Sequence, residues 1–127
     1  MRSDAFRRAA EAKDFSGTDE LFADDVVFRS PVVFKPYEGR EALVGLLGAV
    51  VRVFEDFRYV DQIETGDVAA LVFSAKVGDR ELDGVDLLRF DDAGKVTELT
   101  VMVRPMSGVQ ALAEAMGREL EKLGAGA

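Results

Sequence analysis

Alternation of apolar and polar positions dominates the second half of the chain. In AALVFSAKV, residues 69–77, the positions Ala69, Leu71, Phe73, Ala75 and Val77 form one wholly apolar face. In KVTELTVMVR, residues 95–104, Leu99, Val101 and Val103 alternate against Glu98, Thr100, Met102 and Arg104. Period two therefore predicts four strands, at about 57–65, 68–77, 81–91 and 95–104. Their joints, TGD, GDR and DDAG, carry turn residues, so the strands form an antiparallel meander.

The first half reads differently. Phe6, Ala9, Ala10 and Lys13 share one side of a helix expected over 3–13, with Ser3 as its cap. Ser16 and Asp19 suggest a capping box opening a second helical turn, and VVFRS at 26–30 reads as a strand. Pro31 and Pro36 bracket an irregular segment. Leu43, Leu47, Val50 and Phe54 recur at helical spacing over 40–55; Gly45 and Gly48 in that helix are expected to allow close packing on a sheet. After Pro105, Ser107 and Gln110 suggest a capping box for a helix over 108–123, with Gly124 as its C-cap and a fraying GAGA tail. Its stripe (Val109, Leu112, Ala113, Met116, Leu120, Leu123) suits packing on the chain's own sheet, a dimer contact, or a lid over a cavity mouth. The fold class is α+β: a curved antiparallel sheet packed on helices, in one domain over 1–127 with an extra C-terminal helix.

Composition narrows the chemistry. The 127 residues include no cysteine and no histidine, which removes disulfides, thiolate metal sites and every catalytic arrangement built on imidazole. No metal and no cofactor are expected; a carboxylate-only site for magnesium or calcium stays open, although the Asp spacings do not match a calcium loop. The net charge of −8 argues against nucleic acid and anionic membranes as partners. The longest near-continuous apolar run, ALVGLLGAVV at 42–51, is too short to cross a bilayer, and the N-terminus lacks the apolar core of a secretory signal, so a cytoplasmic protein is expected. GREALVGLLG lacks the lysine and the context of a phosphate loop.

One position breaks the strand pattern. In GVDLLRF, residues 84–90, Gly84, Asp86, Leu88 and Phe90 share a side, so Asp86 faces the interior if Leu88 and Phe90 do. Two readings stay open: a structural acid hydrogen-bonded to a hydroxyl such as that of Tyr59 or to a strand-edge amide, or a group that meets a ligand. Phe73, Leu88, Leu99 and Val101 are the apolar wall expected around it. Tyr37 and Tyr59, the only tyrosines, are candidate hydrogen-bonding wall residues, and Asp61 a candidate second acid.

Three strings, LFADDVVFRSP at 21–31, YEGREAL at 37–43 and LLRFDDAGKVTEL at 87–99, together resemble the nuclear-transport-factor-2-like superfamily, in its SnoaL-like and ketosteroid-isomerase-like branch. The resemblance covers about residues 3–104, and VRPMSGVQALAEAM looks like the tail of uncharacterised members. It implies a cone whose bent sheet wraps over helices and leaves a pocket at the open end. It also implies a range of functions, from isomerases, polyketide cyclases and epoxide hydrolases to non-enzymatic binding proteins.

By that resemblance Asp86 holds the position of the isomerase's protonated Asp, a carboxylic acid kept neutral by its apolar site. The oxyanion tyrosine falls on Phe6 and the base on Ser30, so steroid isomerisation is not supported. A cyclase-type acid on the last strand is also lacking, Glu98 lying on the other face. For an epoxide-hydrolase cluster, Asp86 and Asp61 would supply acids, but alternation turns Arg58 away from Asp61.

The function expected is a pocket for a small apolar molecule, catalytic or not; if catalytic, it would run cofactor-independent acid–base chemistry of isomerase, polyketide cyclase or hydratase type through Asp86. The alternative is a non-catalytic interaction or dimerisation module. A homodimer is expected through the outer side of the meander, where Val68, Ala70 and Val72 lie beside Met102.

Overall fold

The computed structural model describes residues 1–122. The chain runs α1 (Asp4–Glu11), a single 3-10 turn (Asp19–Leu21), β1 (Phe22–Arg29), β2 (Tyr37–Glu38), α2 (Arg40–Val53), β3 (Glu55–Thr65), β4 (Val68–Val77), β5 (Arg80–Phe90), β6 (Val96–Arg104) and α3 (Met106–Lys122). The six strands form one curved, unclosed sheet in the order β2-β1-β6-β5-β4-β3. The four meander strands pair antiparallel as the alternation predicts, while β1 joins the edge of β6 in parallel and makes the sheet mixed.

The buried face of β4 is Ala69, Leu71, Phe73, Ala75 and Val77. With Leu82, Leu88, Phe90, Val96 and Leu99 from its neighbours, and Leu43 and Leu47 from α2, it forms the core. α2 ends at Val53, and Phe54 enters the core from beyond the helix. Gly45 and Gly48 do not serve close packing on the sheet: a Cβ at Gly45 would meet nothing within 4 Å, and one at Gly48 only the Arg52 side chain at 3.7 Å.

Three expected caps are replaced by other contacts. Ser3 makes no capping bond. It is fully buried, and both its N–H and its hydroxyl donate to Glu64 Oε1 of β3, at 3.0 and 2.9 Å, while it accepts from Gln62 Nε2 at 2.8 Å. It therefore pins α1 to the sheet. Ser16 donates to Asp14, and the following turn opens on Thr18, whose hydroxyl donates to the Phe15 carbonyl. α3 starts two residues early, with Val109 N–H donating to the Pro105 carbonyl, so Ser107 lies inside its first turn. Leu123, Gly124 and the tail lie outside the described residues.

Strand β3 departs from simple alternation where the site is built. Tyr59 pairs with Phe73, yet Asp61 pairs with Val72, so an extra residue is accommodated between them. This bulge reverses the facing of every later residue in the strand. Phe57 and Tyr59 point to the core side, Val60 and Asp61 both point out, and Gln62 and Glu64 return to the side that holds α1.

Candidate functional site

The concave side of the sheet does not close completely on its helices. A cavity of about 270 Å³ remains, bounded by α1, α2, α3, the segment after β1 and the inner faces of β3–β6. Eight aromatic rings line it: Phe6, Phe15, Phe28, Tyr37, Phe54, Phe57, Tyr59 and Phe73. Several are interlocked. Phe57 stands edge-on to Tyr59 with centroids 4.9 Å apart, and Phe73 touches Phe54 and Phe57 at 5.5 and 5.1 Å. Such packing fixes the wall and leaves few polar atoms to bind water.

Asp86 is the one carboxylate on this wall among the described residues, and it is only 7% exposed. Its Oδ2 accepts a hydrogen bond from the Tyr59 hydroxyl at 2.7 Å. Among the described residues no fully buried side-chain oxygen lacks a partner, and the only bond to Asp86 falls on Oδ2. Oδ1 is therefore the atom that meets the cavity space.

Burial pushes the Asp86 carboxyl up to about 7, against the pull of the Tyr59 hydrogen bond, which favours the ionised form. Tyr59 is raised as well, by burial first and by the adjacent Asp86 charge and hydrogen bond next. The phenol therefore stays protonated and remains a donor. The Arg7 guanidinium lies over the Tyr59 ring, 5.6 Å from its centroid, and is held there by Gln62 at 2.9 Å and by Glu11. The arrangement presents one carboxyl oxygen, able to hold or give up a proton near neutral pH, in a chamber whose lining is mostly apolar.

The structure brings most of the sequence candidates to one place. Phe6, Ser30, Tyr37, Tyr59, Phe73, Asp86 and Val101 all line the cavity. Three do not. Leu88 and Leu99 are fully buried against each other across β5 and β6, behind the wall rather than on it. Asp61 is exposed on the outer face, because the bulge before it reverses its direction. The same bulge corrects the expectation for Arg58. Its partner Ser74 and the Asp61 partner Val72 are two residues apart on β4, so both side chains face outward, away from Asp86.

Sequence reasoning missed the contribution of α2 and of the segment after β1. Leu46, Val50, Pro31, Val32 and Val33 belong to the lining. A signal was present: three consecutive apolar residues, Val32, Val33 and Phe34, between two prolines have no place in a solvated loop. The stripe on α3 both packs on the sheet and faces the cavity, through Leu112, Ala113, Met116 and Leu120. Among the described residues no group of three or more acidic side chains converges as a metal site, and no helix is long and apolar enough to cross a membrane.

The sheet order and the chamber it encloses define a cystatin-like, nuclear-transport-factor-2-like fold. Residues 4–99 match the SnoaL-like domain, and the chain belongs to that family. Among solved structures it is similar to a protein from Pseudomonas aeruginosa described as a steroid delta-isomerase, at 45% identity and TM-score 0.94, covering 98% of this chain and 92% of that one. A second, an uncharacterised bacterial protein with a cystatin-like fold from Silicibacter pomeroyi, is 32% identical at TM-score 0.90, covering 94% and 85%. An NTF2-like protein of unknown function from Mesorhizobium loti, 24% identical over 82% of this chain and 88% of that one, shares the fold at TM-score 0.73. No curated protein matches the sequence.

Proposed function

We propose that the chain binds a small apolar molecule carrying one oxygen function, held by Asp86. The observation that carries this reading is the buried carboxyl, bonded by Tyr59 through one oxygen only, on the wall of a mostly apolar and aromatic cavity. The relationship to a 45% identical protein described as a steroid delta-isomerase supports a rigid or polycyclic apolar ligand. Steroid isomerisation itself is not part of the proposal, because Phe6 brings no hydroxyl and Ser30 no carboxylate to the cavity. A carboxyl that titrates near 7 suits cofactor-independent acid–base chemistry, of isomerisation, cyclisation or hydration type.

The test is calorimetric titration of the chain with para-ethylphenol, a minimal apolar ring with one hydroxyl. Binding to the wild type is expected to weaken at least about tenfold in Asp86→Leu, the loss of one hydrogen bond to a charged group. Equal affinity of the two proteins, with both folded, would reject the reading.

The outer face of the sheet favours a second copy of the chain as a partner. Ile63 is 61% and Met102 51% exposed there. The register sets Ala70, Leu87, Val72 and Val85 beside and between them, an apolar patch on strands that otherwise present polar residues. The reading of the chain as an interaction module without catalysis rests on this patch. A sedimentation experiment on Ile63→Lys tests it: loss of a wild-type dimer is expected, and a wild-type monomer would reject it.

A further inference from the structure

The cavity opens at a place where the chain is built against its own stability. Gly117 lies within α3, lines the cavity and is exposed, and a Cβ added there would meet nothing within 4 Å among the described residues. Glycine disfavours a helix relative to alanine, so a glycine with free space around it needs another reason. Gly108 in the same helix has one, since its Cβ would approach Leu82 Cβ to 2.8 Å. Gly117 has no such packing constraint.

Also at the mouth is the segment after β1. Val32 and Val33 line the cavity yet are 43% and 42% exposed, and the adjoining Phe34 is 99% exposed. The segment is not a loose loop. Ser30 Oγ accepts from the N–H groups of Val32 and Val33 at 3.0 and 3.4 Å, and a proline stands on either side. Val32 and Val33 are thus held at the rim of a chamber whose inner wall carries the Asp86 carboxyl, with the exposed Phe34 next in sequence.

From these features, and resting on the reading of the cavity as a ligand site, we infer that the mouth is an outer subsite. The ligand is an elongated molecule with its oxygen at Asp86 and an apolar end that leaves the chamber between Val33 and Gly117 and lies under Phe34. Gly117 sets the width of that channel. Phe34 supplies the apolar cover that the protein itself leaves unpaired. The class of ligand is a ring or chain alcohol, phenol or ketone with an apolar extension remote from the oxygen. A compact molecule confined to the chamber would leave the rim empty.

A pair of probes of different length separates this from the simpler reading. On this reading para-ethylphenol stays within the chamber, whereas the tail of para-hexylphenol extends to the mouth. Each fully buried methylene strengthens binding about fourfold, so the longer probe is expected to bind the wild type at least about thirtyfold more tightly. Gly117→Phe is expected to abolish that advantage, and Phe34→Ser to reduce it several-fold. Phe34→Ser should not alter para-ethylphenol affinity by more than about twofold, since Phe34 is not among the residues that line the cavity. Phe34 is fully exposed, so its variant stays folded even if Gly117→Phe does not. Equal affinity of the two probes for the wild type, or an undiminished advantage in Phe34→Ser, would overturn the inference while leaving the chamber site intact. A dimer that Phe34→Ser dissociates would overturn it too, by assigning the rim to a second copy. Failure of both probes to bind at all would remove the ligand site and this inference together.

Discussion

The Tyr59 hydroxyl reaches over strand β4 to donate to Asp86 Oδ2 at 2.7 Å, joining β3 to β5 on the concave side of the sheet. Beneath that bond lie Phe73, the register partner of Tyr59, and Leu71, the partner of Asp86. The apolar pair shields the polar one from the core and leaves it open only toward the cavity. The bond joins two strands and still leaves Asp86 on the cavity wall, so the two readings of Asp86 left open by the sequence are compatible.

Stability should depend on pH through Asp86. Its folded value is raised, to about 7, above an unfolded value near 4. The native state therefore holds a proton that the unfolded chain has already released, and stability falls as pH rises between these limits. A shift of that size is worth on the order of 4 kcal/mol. Asp86→Asn keeps an acceptor for Tyr59 without the charge, so it is expected to gain stability relative to the wild type from pH 4 upward and to level off above about 7. Urea unfolding across that range measures the difference, and parallel curves would count against the buried charge.

Tyr59→Phe removes the hydrogen bond that favours the ionised carboxyl while keeping the ring against Phe57 and Phe73. The Asp86 carboxyl should then titrate higher than in the wild type, as followed by carboxyl-carbon NMR. Stability above the titration range should drop by about 1 kcal/mol or more, the cost of an unpaired buried acceptor.

Much of the sheet is legible because turn residues punctuate it. The ends of β4, β5 and β6 fall within a residue of the positions that alternation and the turns at 65–67, 78–80 and 91–94 assign. The inward direction of Asp86 was legible for the same reason, with Leu88 and Phe90 fixing the parity of the strand. The bulge in β3 was not, since no glycine or proline marks it, and Asp61 was misplaced in consequence. Leu88 and Leu99 show a second limit. Period two tells which face a residue occupies, but not whether that face meets a cavity or another side chain. Ser3 shows a third: a serine before a helix looks like a cap until a distant carboxylate claims both its donors.

Ser3→Ala should cost about 1–2 kcal/mol, because it removes one buried donor to Glu64 and one acceptor from Gln62. Glu64 titrates below its ordinary range: burial works against this, but the N–H groups of Arg2 and Ser3 and the Ser3 hydroxyl outweigh it. A depressed folded value gives stability that is present above the ordinary glutamate range and is lost as pH falls through the folded value. The variant should therefore show a shallower acid limb in a thermal-unfolding series.

Gly84→Ala should be poorly tolerated. A Cβ there would collide with the tip of the Phe73 ring and lie 2.8 Å from the Met102 carbonyl oxygen. Overpacking of this kind costs about 1–3 kcal/mol. Because Phe73 is part of the cavity wall, the ring must move into the chamber. A loss of stability accompanied by weaker para-ethylphenol binding is expected, and a variant as stable as the wild type would contradict the contact.

The bulge at Val60 divides β3 into two working halves, one presenting Tyr59 to the chamber and the other presenting Gln62 and Glu64 to the start of α1. Substituting Val60 leaves both halves in place, since its side chain faces solvent. Removing it would leave only one of them correctly phased: either the phenol turns away from Asp86, or the helix loses its moorings. Along this strand the chain can therefore vary in residue type much more freely than in length, and related sequences should keep the interval from tyrosine to glutamate constant.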